Sequence, residues 1–264
     1  MTASSGRPRP RLLCLRAPHE AASLLEGLAA RGIAGQPLEV LRYQECWAAS
    51  EAALPLTRGL AASDVVVLTS RRGARAWCHL CAAAGLDAAT VPIAVVGEAT
   101  AAEARALGLT VALVGSSDAL ALAHQMAVVW PQPSGRALFA VAREATVEPQ
   151  DHLASLGWSV ERLETYEALP MADLQAHVAL LPVEAFDGVV ATSANRLEAF
   201  LASATPASRD AWLRLPIIVI GQRTAERARL LGAAQVTVAS GAATERLVDA
   251  AAAALRGPHD GEKE

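Results

Sequence analysis

The chain is predicted to be an α/β protein built from two similar parallel-sheet units, on three observations. The segment DGVVATSANRLEAF at Asp187–Phe200 restates DVVVLTSRRGARAW at Asp64–Trp77, and each reads as a buried strand, a hydroxyl-bearing turn and the start of a helix. Asp64 maps to Asp187, Ser70 to Ser193 and Trp77 to Phe200 at one constant offset. Further on, LPIIVIGQRTAERARLLG echoes VPIAVVGEATAAEARALG, pairing Gly97 with Gly221, Thr100 with Thr224 and Gly108 with Gly232. Finally, short aliphatic runs alternate with helix-period segments along most of the chain, as in a parallel sheet wrapped by helices. The runs are nearly continuous in aliphatics, which suits strands covered on both faces.

Taken in order, Arg11–Leu15 reads as a strand, and 20–31 has helical periodicity that stops at Gly32, a C-cap residue. Residues 37–43 read as an extended crossing segment. Asp64–Leu68 is a strand, followed by a helix to about Ala84 that ends at Gly85. Pro92–Val96 is the next strand, and Gly97 to Thr100 turns into a helix ending at Gly108. Thr110–Val114 is a strand, and Ser117 or Asp118 caps a helix that dissolves near Pro131 and Pro133. The second copy follows the same order. Ala137–Val141 is a strand, Pro149–Leu156 a helix stopped by Gly157, and Val160–Tyr166 is extended. Gly188–Ala191 is a strand, Ile217–Ile220 leads through Gly221–Thr224 into a helix to Gly232, Val236–Val238 is a strand, and Thr244 opens the last helix. The closing GPHDGEKE is a polar tail.

Composition removes several function classes. The 264 residues are 53% hydrophobic, enough for one large or two modest cores. A net charge of −4 gives no global case for nucleic acid. No apolar run is long enough to span a membrane, and Leu12–Leu15 is too short for a signal-peptide core behind the basic N-terminus. The four cysteines are not spaced as a disulfide framework, so a cytoplasmic location is expected.

Ligands of open parallel sheets bind beyond the carboxyl ends of the strands. The turns at Thr69-Ser70-Arg71, Gly97–Thr100, Ser193-Ala194-Asn195 and Gly221–Thr224 all occupy such ends. Each offers free backbone N–H groups at a helix start, which suits an anion. Arg16, Arg71, Arg72, Arg143, Arg196 and Arg223 lie in or near these turns, so an acidic protein is expected to present a cationic cleft for a polycarboxylate or phosphate. The competing reading is that the hydroxyl side chains only cap helices. Trp77-Cys78-His79-Leu80-Cys81 has thioredoxin-like spacing, but it falls inside a predicted helix and its repeat partner has no cysteine, which favours packing over redox chemistry. The histidines show no metal-ligand spacing, and nucleotide-loop and nucleophile-elbow patterns are absent.

The ordered set formed by Arg16 after the first strand, Thr69-Ser70, VVGEATA at Val95–Ala101, TYEALP at Thr165–Pro170, ATSAN at Ala191–Asn195 and VIGQRTAERARLLG at Val219–Gly232 resembles uroporphyrinogen-III synthase, across most of the chain. The resemblance implies two similar three-layer, flavodoxin-like parallel-sheet α/β domains joined by a two-stranded linker. Domain 1 would be discontinuous, 9–38 plus 170–256, and domain 2 would be 46–162. The linker strands would be 39–45 and 163–169, with disordered tails at 1–8 and 257–264. The first strand would then share a sheet with Ile217–Ile220 rather than lie beside Val65–Leu68.

The resemblance also implies an enzyme that uses no cofactor and no metal. It would cyclise the linear tetrapyrrole hydroxymethylbilane with inversion of the last pyrrole ring and loss of water. Tyr166 matches the family's tyrosine and is expected to donate a hydrogen bond to the leaving hydroxyl from an exposed position; a linker-strand aromatic packing on a domain edge is the alternative. Arg16, Thr69, Ser70, Arg71, Thr100, Ser193, Ala194, Asn195, Arg223 and Thr224 are the expected substrate-binding residues, with the turn hydroxyls facing one interdomain space. Family members often carry two adjacent hydroxyls where this chain has Arg223 before Thr224, which puts that turn's role in doubt. The implied partners are the small-molecule substrate and, transiently, the preceding enzyme of the pathway, with a monomer acting on neither nucleic acid nor membrane. The competing function is a non-catalytic tetrapyrrole- or ligand-sensing module of the same fold. Such modules usually sit beside a DNA-binding domain, and no segment after Leu255 is long enough to be one. A two-lobed solute-binding protein is disfavoured by the missing signal sequence.

Overall fold

Strands β1 (Arg11–Leu15), β2 (Ala34–Pro37) and β3 (Leu41–Glu45) flank helix α1 (Pro18–Ala30) at the start of a computed structural model that describes residues 9–46, 59–115, 118–131, 135–241 and 243–256. The middle of the chain holds β4 (Val65–Leu68), α2 (Arg71–Ala83), β5 (Ile93–Val96), α3 (Glu98–Ala106), β6 (Val111–Gly115), α4 (Ala119–Val129), β7 (Arg136–Ala142), α5 (Glu148–Ser155) and β8 (Ser159–Pro170). The last third holds α6 (Leu174–Ala179), β9 (Gly188–Ala191), α7 (Ala194–Ser203), α8 (Pro206–Arg214), β10 (Pro216–Val219), α9 (Gln222–Leu230), β11 (Gln235–Val238) and α10 (Thr244–Arg256). The chain divides into two units, Met1–Arg42 with Pro170–Glu264, and Tyr43–Leu169.

In the discontinuous unit the strand order is β11-β10-β9-β1-β2, and each neighbouring pair runs parallel. The first strand therefore lies in one sheet with Ile217–Val219. In the continuous unit the order is β3-β8-β7-β4-β5-β6, parallel from β8 to β6. β3 runs against β8, because Cys46 N–H donates to Thr165 O while Met171 N–H donates to Val40 O.

Period-2 alternation divides the short strands between two faces. Val66 and Leu68 join Trp77, Leu80, Cys81 and Ala101 on the α2/α3 side, whereas Val65 and Val67 join Leu122, Met126, Leu153 and Trp158 on the α4/α5 side. That explains why β4 is apolar at every position. Burying one such side chain contributes roughly 1.5–3 kcal/mol. Cys81 belongs to this core; burial pushes its thiol up to about 12 and raises that of Cys78 as well. The C-x-x-C pair is accordingly a packing feature of α2.

Each central strand begins with an aspartate doing the same job. The Asp64 carboxylate accepts the N–H of Arg136 at the start of β7 at 2.9 Å, and Asp187 accepts the N–H of Arg11 at the start of β1 at 2.7 Å. The units are thus alike in strand placement but permuted in chain order: β1 stands to β9 as β7 stands to β4.

Three local features depart from the expectation. Residues 37–43 are not one crossing segment: Ala34–Pro37 is an edge strand on β1, and the next strand starts at Leu41. AGQP has no strand composition; its Gly35 lies so near α1 that a Cβ there would meet Leu25 Cδ2 at 2.5 Å. α6 and α8 also went unpredicted, although Thr205, accepting the N–H of Ser208, and Pro206 at the first helical position form a helix-start signal. Asp118 caps α4 by accepting the N–H of Ala121 at 2.8 Å. Ser117, Pro133 and the tails expected at 1–8 and 257–264 lie outside the described residues.

Candidate functional site

β4 delivers the chain to Thr69-Ser70, and Ser70 turns it into α2. Ser70 is extended, with φ −157°, and its Oγ accepts the Gly73 N–H at 3.0 Å, the usual N-cap arrangement. A Cβ on Gly73 would come within 3.1 Å of the Ala140 carbonyl oxygen of β7 and 3.4 Å of Ser70 Oγ, so its absence lets the helix start sit close. The first turn of α2 therefore seats against the end of β7.

This seating brings Ser70 Oγ to 2.9 Å from the hydroxyl of Tyr166 on β8. The Tyr166 ring lies 6.3 Å from that of Tyr43 on β3, tilted by 59°. The Arg72 guanidinium sits 3.7 Å above the Tyr43 ring centroid, a cation–π contact. Tyr43, Tyr166, Arg72, Arg75 and His79 are among the residues lining a pocket of about 210 Å³ in this unit. At its rim His79 Nδ1 meets Glu45 Oε1 at 2.6 Å, and Arg75 is engaged with Glu103 at 2.7 Å.

Tyr166 is only 9% exposed. The expectation of an exposed hydroxyl is therefore corrected: β8 continues beside β7 and carries the ring inward, and the hydroxyl is held by Ser70 at the pocket lining. Burial raises the phenol above its ordinary range; the Ser70 hydrogen bond and the Arg72 charge oppose this, while Tyr43 and Glu144 add to it. The group is a neutral hydrogen-bond donor or acceptor at physiological pH.

The other expected residues fall into different environments. Thr69 is half-buried and Arg71 exposed at the start of α2. Thr100 and Thr224 are each the third residue of their helices and turn inward, 5% and 7% exposed, so neither is an open hydroxyl. Ser193 caps α7 by accepting the Arg196 N–H at 3.3 Å, Ala194 is half-buried and Asn195 exposed. Arg16 is half-buried just past β1, and Arg223 is exposed on α9.

Two arginines expected to supply free positive charge are already neutralised. Arg196 is 8% exposed and binds Glu20 Oε2 at 2.7 Å and Thr192 Oγ1 at 2.8 Å, tying α7 to α1. Arg143 is held by Glu164 at 3.2 Å and Glu167 at 2.5 Å. Sequence position alone could not show that carboxylates from distant segments would reach them. The same reasoning passed over Tyr43 as an aromatic partner and Arg72 as its cation; the matched placement of Tyr43 and Tyr166 in the two halves was the available signal. Among the described residues no group of three or more His, Cys, Asp or Glu could hold a metal ion, and no helix is long and apolar enough to cross a membrane.

Two α/β units with parallel sheets, a permuted repeat and serine-capped turns at the strand ends place the protein among two-unit, doubly wound α/β folds. The chain belongs to the uroporphyrinogen-III synthase HemD family, whose sequence profile matches residues 48–249. No curated protein sequence matches the chain. It is similar to a mutant uroporphyrinogen III synthase from the extremely thermophilic bacterium Thermus thermophilus, with a TM-score of 0.65 at 18% identity over 94% of this chain and 99% of that one. A uroporphyrinogen-III synthetase from Helicobacter pylori gives a TM-score of 0.62 at 15% identity over 92% of this chain and 99% of that one. At such identities the likeness establishes the fold.

Proposed function

We propose that the protein cyclises hydroxymethylbilane to uroporphyrinogen III, a carbon–oxygen lyase step of porphyrin biosynthesis. The observation that supports this best is the neutral Tyr166 phenol on the lining of a pocket that also holds Arg72, with its hydroxyl fixed by Ser70. Loss of the terminal hydroxyl as water leaves a cationic azafulvene-like end, which closes on the far pyrrole through a spiro rearrangement that inverts that ring. The step has no net redox change. Its demands are a proton or hydrogen bond for the departing oxygen and enforced geometry for closure. Tyr166 is the proposed source of the first.

The substrate's carboxylates call for N–H groups and guanidinium groups. In the continuous unit Thr69, Ser70, Arg71 and Thr100 are the proposed contributors; in the other, Arg16, Ser193, Ala194, Asn195, Arg223 and Thr224. The inward-turned Thr224 would act through its backbone N–H rather than its hydroxyl, whereas the Thr100 N–H already donates to the Gly97 carbonyl at 3.2 Å.

A coupled assay that generates hydroxymethylbilane in place and separates the type I and type III isomers tests this. Spontaneous closure gives type I. Tyr166→Phe keeps the ring and removes the donor, so type III formation is expected to fall about 10²–10³-fold, the range for a lost transition-state donor, with type I in its place. Full type III output from Tyr166→Phe would reduce Tyr166 to packing. A non-catalytic binding module would leave the isomer ratio of the unmodified protein at that of the spontaneous reaction.

A further inference from the structure

We infer that Ser70 is the positioning residue for Tyr166: its hydroxyl donates to the Tyr166 oxygen, so the phenolic proton is turned away from Ser70 and towards the pocket. The separation of 2.9 Å fixes the hydrogen bond but not its direction. Either direction leaves one of the two hydroxyl protons without an acceptor within the pair, so the direction is read from how the series of bonds aligns with the helix start. Ser70 Oγ accepts from the Gly73 N–H at 3.0 Å, a donor whose role the backbone fixes. A serine hydroxyl has one proton to give. Among the described residues, the partners of Ser70 Oγ are Gly73 N–H and the Tyr166 hydroxyl.

If Tyr166 donated, Oγ would accept two hydrogen bonds and the serine proton would have no acceptor among those partners. If Ser70 donates, Oγ accepts once and gives once, and the proton left over is the phenolic one. The bonds then run one way, from Gly73 N–H to Ser70 O–H to the Tyr166 oxygen, and each polarises the next. The series begins at the positive end of the α2 dipole, so the helix reinforces this direction. The last proton, on the phenol, is the one without an assigned acceptor, and Tyr166 lines the pocket. That this proton reaches a leaving hydroxyl rests on the proposed function; the direction of the Ser70–Tyr166 bond does not.

The test reads the tyrosine directly. The chain has two tyrosines, so Tyr43→Phe leaves Tyr166 as the single phenol while keeping a ring beneath Arg72. Biosynthetic replacement of tyrosine by a fluorotyrosine brings the titration below the alkaline range in which the fold would be lost, and tyrosinate absorbance follows it. A donating Ser70 stabilises the phenolate oxygen, so Ser70→Ala must raise the Tyr166 pKa and Ser70→Thr must restore it. A serine hydroxyl can turn to donate once the phenol ionises, so the titration reports the contact, and its direction is read on the neutral phenol from the intensity ratio of the tyrosine Raman doublet, which is high for a phenol that accepts and low for one that only donates. A ratio that falls in Ser70→Ala fits a donating Ser70, and one that rises or stays the same overturns the inference. A lowered or unchanged pKa overturns it too.

Because Ser70→Ala also removes a helix cap, Ser70→Gly is titrated alongside it; glycine keeps most of the capping preference and has no hydroxyl, and it must give the same rise. In the isomer assay with both tyrosines present, Ser70→Ala and Ser70→Gly should cut type III formation about tenfold or more, with Ser70→Thr recovering it. If Tyr166→Phe left type III intact, the catalytic role proposed for Tyr166 would fail while the Raman ratio still reported the bond's direction.

Discussion

At the residue scale the clearest stabilising group is Asp64. It is 2% exposed and accepts the N–H groups of Ala61 and Arg136 and the Arg136 guanidinium, with the closest ion-pair contact at 2.7 Å. Burial pushes its carboxyl up, but Arg136 and these N–H groups outweigh that and hold it below the usual range. A depressed folded value contributes stability above the unfolded value of about 3.9, and the contribution is lost as pH falls through the folded value. Asp64→Asn should therefore cost about 2 kcal/mol at neutral pH, less than the 3–5 of an isolated broken pair because Glu161 stays 3.6 Å from Arg136. The gap to the unsubstituted protein should narrow towards pH 3, as denaturant melts at the two pH values would show; an equal gap at both would reject the charge argument. Asp187, its repeat partner, is exposed and holds a backbone N–H, while the Arg11 guanidinium goes to Gln36 and the Phe186 face. Asp187→Asn should cost under about 1 kcal/mol by the same melts. The sequence repeat matched the two aspartates, but their different burial depends on partners more than seventy residues away and was not legible.

At the element scale α2 carries the site, and its geometry depends on one missing side chain. Gly→Ala inside a helix ordinarily stabilises by about 0.5–1 kcal/mol. Gly73→Ala should do the opposite, because the new methyl would press on the Ala140 carbonyl, a backbone atom unable to swing aside, and on Ser70 Oγ. A drop in thermal midpoint together with a shift in the Tyr166 titration is expected; a rise in midpoint with an unchanged titration would show that the helix start accommodates the methyl. The serine caps at Ser70 and Ser193 were legible, since a hydroxyl between a buried strand and a helical period has a local chemical reason to be there. Tyr166 was legible only through resemblance, and its burial was missed because strand β8 runs on past the domain core to Pro170. β2 was missed for the reverse reason: AGQP becomes a strand through its place beside β1, not through its own propensity.

At the scale of the whole molecule, the permuted repeat decides which parts can fold alone. The continuous unit has six strands from one stretch of chain and two core clusters of its own. The other unit takes β1 and β2 from the N-terminal segment and the rest from the C-terminal one, and β1 is not at its edge: it lies between β9 and β2 with Leu12, Leu13, Cys14 and Leu15 all fully buried. A polypeptide of 41–170 should accordingly melt in a single cooperative transition by circular dichroism. Residues 171–256 alone lack an inner strand and helix α1, which leaves one flank of β9 unpaired and the apolar face of α10 without Leu24 and Leu28. That piece should be unfolded or aggregate. Fusing 9–40 behind it through a flexible glycine–serine linker restores every strand in the sheet order β11-β10-β9-β1-β2, and the fused chain should regain a cooperative transition. If 171–256 folds without 9–40, β1 is dispensable and the discontinuous core is not a single cooperative unit. If the fusion stays unfolded while 41–170 melts cooperatively, the discontinuous unit needs the continuous one to fold.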